Sequence, residues 1–228
     1  MKTIGLIGGI SWESTAIYYQ IINKEVNKRL GGAHSARVYM YSFDFEEILS
    51  YNQKDNLDAI GYRLVEEAIK LESAGAELLV LCANTAHRWI DLVQSNISIP
   101  IVHIGEATGK AICKANKNNV LLLGTKYTME GDYIKGKLNS EYNIKVSVPE
   151  EEDMLKINRI IYEELVVGDF KDSSKQILLN IIKKFEDIEG VILGCTELPL
   201  IISKNDTEVS LFNTTVLHAK AAVDFALK

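Results

Sequence analysis

Apolar residues in this chain come in two rhythms, short unbroken runs and stretches with a period of three to four residues, and the two alternate along the chain. Ile4–Gly8 is an apolar run that stops at glycine, and from Ser11 the spacing turns helical, with Tyr18, Ile22 and Val26 four residues apart. That is a strand, a glycine turn and a helix. Residues 38–43 read as a second strand. Leu57, Ile60, Leu64, Ala68 and Leu71 mark a helix that Gly75 stops. Leu78–Leu81 reads as a third strand, which runs into Cys82-Ala83-Asn84-Thr85-Ala86-His87; a helix through Trp89 and Val93 follows, and residues 99–102 open a further strand. Unbroken apolar strands alternating with amphipathic helices predict parallel sheets covered on both faces.

The second half repeats this order. Residues 120–125 form a strand running into Gly124 and Thr125, like the chain's opening, and residues 190–196 form a strand running into Cys195, like the one that runs into Cys82. The interval is 74 positions from Gly8 to Cys82 and 71 from Gly124 to Cys195. Between them lie a strand near 144–148 and helices carrying Met154, Ile157, Ile161 and Leu165, then Ile177, Ile181 and Phe185. A final helix over 214–227 is expected to pack back on the first half. The expected fold is α/β with two pseudosymmetric lobes, residues 1–104 with 209–228 and residues 105–208, each a parallel β-sheet flanked by helices.

Composition narrows the partners more than the chemistry. The chain has 228 residues, 47% hydrophobic and 25% charged, and a formal net charge of -6, which argues against nucleic acid or a membrane surface as partner. The opening apolar run is too short for a signal peptide or anchor and no stretch approaches a membrane span, so the expected location is cytoplasmic. Three cysteines at wide spacing, Cys82, Cys113 and Cys195, suit reduced thiols rather than a disulfide framework. Cys113 lies within a helical pattern and reads as a packing residue.

Ligands of open parallel sheets bind beyond the carboxyl ends of the strands, where both Cys82 and Cys195 fall. A cysteine between a strand end and a helix start meets unpaired backbone N–H groups, which favour the thiolate below the free-thiol pKa of about 8.5. A buried cysteine can equally be a small hydrophobe. Ser11 and Thr125 read as helix caps as readily as ligand contacts. His87 either tunes a thiol or satisfies a helix end, and Lys126 and Arg88 are candidate carboxylate partners. Gly5, Gly8 and Gly9 lack the G-x-G-x-x-G spacing of a dinucleotide site, and no Cys-x-x-Cys or His-x-x-x-His pair suggests zinc.

Four segments together resemble the aspartate/glutamate racemase superfamily: Gly5-Leu6-Ile7-Gly8-Gly9-Ile10-Ser11-Trp12-Glu13-Ser14-Thr15, Asn84-Thr85-Ala86-His87, Leu123-Gly124-Thr125-Lys126-Tyr127-Thr128-Met129 and Gly194-Cys195-Thr196-Glu197. The resemblance implies an active site in the cleft between the lobes, an amino-acid substrate, no cofactor, no metal and a homodimer. It also implies that one thiolate removes the Cα proton while a thiol on the opposite face returns one. Cys195 and Cys82 are the catalytic candidates; Ser11, Gln53, Asn84, Thr85, Thr125, Thr196 and Glu197 are the substrate-binding candidates. The family's first cysteine directly precedes the Asn-Thr pair, where this chain has Ala83, one residue after Cys82. Either the turn bulges so that Cys82 still reaches the substrate, or the chemistry is one-sided. The second cationic position of two-thiol aspartate racemases falls near Leu165 and Val166, which are apolar. Relatives that isomerise maleate, racemise hydantoins or decarboxylate arylmalonates leave the reaction open, as does a non-catalytic binder of small dicarboxylates.

Overall fold

The computed structural model describes residues 1–53 and 56–228. The chain divides into two units, Met1–His103 with His218–Lys228, and Ile104–Leu217.

In the first unit, β1 (Ile4–Gly8), α1 (Trp12–Leu30), β2 (Val38–Ser42), α2 (Phe45–Gln53), α3 (Leu57–Ser73) and β3 (Leu78–Leu81) follow in order, then a 3-10 turn at Thr85–Trp89 and α4 (Ile90–Gln94). The sheet is parallel, in the order β2-β1-β3. β1 and β3 are unbroken apolar runs because both their faces are covered. Ile7, Leu79 and Leu81 pack under α3 with Ile60, Leu64 and Ala68. Ile4, Leu6, Leu78 and Val80 pack on the other face against Tyr18, Ile22 and Val26 of α1 and against Ala219, Ala222 and Val223 near the chain's end. The fourth strand expected at 99–102 is reduced to a single parallel bridge between Leu79 and Ile101. Pro100 has no N–H to extend it, and contributes only its carbonyl, which accepts from Leu79 N at 2.9 Å.

The second unit comprises α5 (Ile104–Lys114), β4 (Asn119–Leu123), α6 (Lys126–Glu130), α7 (Asp132–Tyr142), β5 (Lys145–Ser147) and α8 (Glu151–Glu163), a 3-10 turn at Leu165–Val167, then α9 (Asp172–Lys183), β6 (Gly190–Leu193), α10 (Leu198–Ile201), β7 (Ser210–Asn213) and the start of α11 (Thr214–Ala226). Its sheet is also parallel, in the order β5-β4-β6-β7. Leu121, Leu123, Val191 and Leu193 face α8 and α9, while Val120, Leu122, Ile192 and Phe212 face α5 and α7. β4 and β6 therefore hold the central places that β1 and β3 hold in the first unit, and β7 stands beside β6 as the Ile101 bridge stands beside β3.

Two features differ from the sequence reading. β7 pairs with β6, so residues 209–217 belong to the second unit, and the chain changes unit within α11. Cys113 is exposed rather than packed, because α5 turns Ile104, Thr108 and Ile112 inward and leaves the next position outside. Among the described residues no helix is long and apolar enough to cross a membrane.

Candidate functional site

In the second unit, β4 and β6 run side by side into the glycines of their turns. Gly194 N donates to Leu123 O at 2.7 Å, and a Cβ on Gly194 would lie 2.9 Å from that oxygen. Glycine permits this approach, and it brings the next residues, Thr125 and Cys195, out from neighbouring strand ends. Thr125 caps α6, its hydroxyl accepting from Thr128 N at 3.4 Å. Lys126 N donates to Asn158 Oδ1 of α8 at 2.8 Å, which ties this turn to the helix packed beneath it.

Cys195 is half-buried, and its Sγ donates to Oε2 of Glu197 at 2.8 Å. The same oxygen accepts from Thr196 Oγ1 at 2.7 Å. Glu197 is buried at the N-cap of α10. The Cys195 thiol is pushed well above its ordinary range, first by loss of solvent around the sulfur and then by the negative charge of Glu197. The backbone N–H groups of Thr196 and Glu197 pull the other way, as expected at a strand-to-helix turn, and lose. α10 has only four residues, so its dipole offers little opposition to a carboxylate in direct contact with the thiol. The resting group is a thiol hydrogen-bonded to the Glu197 side chain. Tyr162 of α8 responds to the same charges: burial, then Cys195, Tyr127 and Glu197, push its phenol up to about 12.

In the first unit, Ser11 caps α1 by accepting from Ser14 N at 3.4 Å, and Gly9 N donates to Thr15 Oγ1 at 2.9 Å. Gly9 has a φ of 83° and its missing Cβ would lie 2.2 Å from the backbone of Phe43, so this turn requires glycine. Cys82 N donates to Ile7 O at 2.8 Å, continuing the β1–β3 ladder with no extra residue inserted. Strand alternation is therefore kept, and Cys82 falls on the same face as Leu78 and Val80, 1% exposed within the α1 cluster. Ala83 falls on the opposite face, against the α3 cluster. Burial pushes the Cys82 thiol far up, and its sulfur donates to Val80 O at 3.8 Å.

Asn84 is buried, and its Oδ1 has no hydrogen-bond partner among the described residues. Thr85 is half-buried at the start of the 3-10 turn. Beneath that turn His87 is fully buried, with the rings of His103 and His218 each 5.1 Å from it. His218 Nε2–H donates to Val102 O at 2.7 Å, leaving Nδ1 to accept from the Tyr18 hydroxyl at 2.9 Å. His87 is held well below its ordinary pKa by burial and then by its two neighbours, and burial lowers His218 to about 4, so both rings are neutral near pH 7. Gln53 ends α2, and its side chain lies outside the described residues. Lys126 is engaged with Glu130 and Glu151 at 3.5 and 3.9 Å, and Arg88 is exposed above the Trp89 ring.

The sequence reading missed Asn158 and Tyr162. They stand four residues apart on α8, on one side of a helix whose apolar pattern announces only its buried face. No local signal connects them with a cysteine more than thirty residues further along the chain.

The chain also resembles known proteins. The chain is 23% identical over 223 residues to the broad specificity amino-acid racemase RacX of Bacillus subtilis (strain 168), covering 96% of each protein. A crystal structure from Yersinia pestis, described provisionally as an Asp/Glu racemase, superposes with a TM-score of 0.95 at 42% identity over 100% of both chains. An aspartate racemase homologue from Pyrococcus horikoshii OT3 gives a TM-score of 0.87 at 37% identity, again over 100% of both chains. The model of the Asp/Glu/Hydantoin racemase family matches residues 7–222, and the chain belongs to that family.

Proposed function

We propose that this protein is a cofactor-independent amino-acid racemase of the aspartate/glutamate type, with Cys195 as the group that exchanges a proton with the substrate α-carbon. The observation that carries this reading is the 2.8 Å hydrogen bond from Cys195 Sγ to Glu197 Oε2 at the carboxyl end of β6. Glu197 takes the thiol proton, the S–H bond giving way to an O–H bond, and the resulting thiolate removes the proton from Cα. The electron pair of the C–H bond passes into the substrate carboxylate as an enolate. Thr125 and Thr196 supply hydroxyls on the same strand edge for that carboxylate. Asn84 Oδ1 is buried and without a partner among the described residues, which keeps Asn84 a substrate-binding candidate. Ser11, Thr85 and Gln53 remain substrate-binding candidates.

Cys82 sits in the core of its unit, which supports a packing role for it. The proton returned to the opposite face is then assigned to water, since Ala83 carries no ionisable group. This same placement favours a second reading, a one-thiol reaction of the same family that exchanges or replaces a substituent at Cα without inverting it. Incubating the protein in D2O with single enantiomers of aspartate and glutamate and no added cofactor, followed by chiral chromatography and by proton NMR of the Cα position, separates the two. Accumulation of the opposite enantiomer supports the racemase; Cα exchange with retained configuration supports the one-thiol reaction.

A further inference from the structure

The chain leaves the first unit after His103 and re-enters it at His218 in α11, and a hydrogen bond ties the two passages together. His218 is fully buried and bonded through both ring nitrogens. A carbonyl can only accept, so Nε2–H donates to Val102 O at 2.7 Å, and Nδ1 accepts from the Tyr18 hydroxyl of α1 at 2.9 Å. Val102 N donates in turn to Leu79 O of β3 at 2.9 Å. The ring is thus fixed from α1 and from the segment beside β3, and a satisfied polar network in a buried place holds one arrangement. His87 rests against this fixed ring, edge to face, with 5.1 Å between centroids at 68°. It belongs to the 3-10 turn Thr85–Trp89, and its N–H donates to Asn84 O at 3.2 Å at the head of that turn. Where His87 rests therefore sets where Asn84 and Thr85 stand.

We infer that His218 is a positioning residue of the proposed reaction: held by Val102 and Tyr18, it seats His87, and through His87 the turn that presents Asn84 and Thr85 to the substrate. This rests on the racemase reading above and on Asn84 and Thr85 as substrate contacts. An apolar side chain in the place of His218 would fill the space among Ala219, Ala222 and Val223 but leave Val102 O and the Tyr18 hydroxyl without this partner. The helix would keep its seat while the ring that His87 leans on lost its anchor.

The test measures KM and kcat for Cα exchange in D2O with aspartate and glutamate, in the wild type, His218→Phe, His218→Gln and Tyr18→Phe, with thermal melting to confirm folding. His218→Phe keeps a ring against His87 but gives Val102 O no donor and Tyr18 no acceptor. It is expected to raise KM about tenfold with kcat unchanged, because Asn84 and Thr85 hold the substrate alike before and during proton transfer. His218→Gln keeps a donor for Val102 O and is expected to recover most of that rise, and Tyr18→Phe is expected to raise KM about threefold. A ring that only stabilised the fold would lower the folded fraction, and with it kcat, at unchanged KM. A folded His218→Phe with unchanged KM, or with a rise that His218→Gln shares in full, overturns the inference and leaves the racemase reading intact. A wild type inert toward both substrates overturns the racemase reading, and the inference with it. If either His218 variant fails to fold, Tyr18→Phe decides: a raised KM at unchanged kcat supports the inference, and an unchanged KM overturns it.

Discussion

The sulfur of Cys195 donates to the Glu197 side-chain oxygen Oε2 at 2.8 Å, and Thr196 Oγ1 donates to the same oxygen at 2.7 Å. The hydroxyl holds the oxygen that the thiol contacts, so on the proposed reading the acceptor is in place before any substrate arrives. The arrangement also sets the thiol's resting state, because the charge that draws its proton also opposes formation of a second negative charge.

Replacing Glu197 with Gln keeps the shape and removes the charge. The thiol then ionises at lower pH, so the acid limb of the Cα-exchange profile moves down, and thiolate ultraviolet absorbance appears at lower pH than in the wild type. The plateau rate falls by about 10²-fold because the proton acceptor is gone. An unmoved acid limb would show that Glu197 does not govern the thiol.

Cys82 and Cys195 differ in what surrounds them. Cys82→Ser places a hydroxyl in an apolar cluster, where the thiol's hydrogen bond is a long one to Val80 O at 3.8 Å, and is expected to lower stability by about 1–3 kcal/mol while leaving Cα exchange close to wild type. A thiol reagent on the native protein should label Cys113 and Cys195 and spare Cys82 until denaturant is added. Rapid native labelling of Cys82, or loss of exchange in a folded Cys82→Ser, would reinstate it as a second acid–base group.

The strands were the most legible part of the sequence. Leu78–Leu81 and Ile4–Gly8 are buried on both faces, and nothing competes with a reading from their unbroken apolar runs. β7 was missed because Ser210–Asn213 has one fully buried side chain and no apolar run of its own. The glycine turns and the two caps at Ser11 and Thr125 were also visible. The direction of Cys82 was not, since a one-residue bulge would have turned it toward the opposite face, and only the continued ladder from Cys82 N to Ile7 O decides against one. Tyr162 was invisible for a different reason, being brought near Cys195 by packing between distant parts of the chain.

The histidines beneath the Asn84–Thr85 turn make an acid-sensitive fold. His218 titrates near 4 in the folded protein against about 6.5 when unfolded, so the unfolded chain binds more protons between these values. Stability is fully present above pH 6.5 and is lost as pH falls toward 4, by about 3 kcal/mol for this ring alone, and His87 acts in the same direction. Denaturation midpoints measured across that window should fall with pH, and His218→Gln should fall less steeply. Asp206, held down to about 2 first by its hydrogen bond with Lys175, acts below this window. A flat wild-type profile between pH 6.5 and 4 would contradict neutral buried rings.

The account depends most on Cys195 as the group that meets the α-carbon. In D2O, with single enantiomers of aspartate and glutamate and no added cofactor, proton NMR of the Cα position reads that encounter directly. The wild type is predicted to incorporate deuterium and Cys195→Ala to lose at least about 10²-fold of that rate while melting as a folded protein. Undiminished exchange in a folded Cys195→Ala would contradict the central claim.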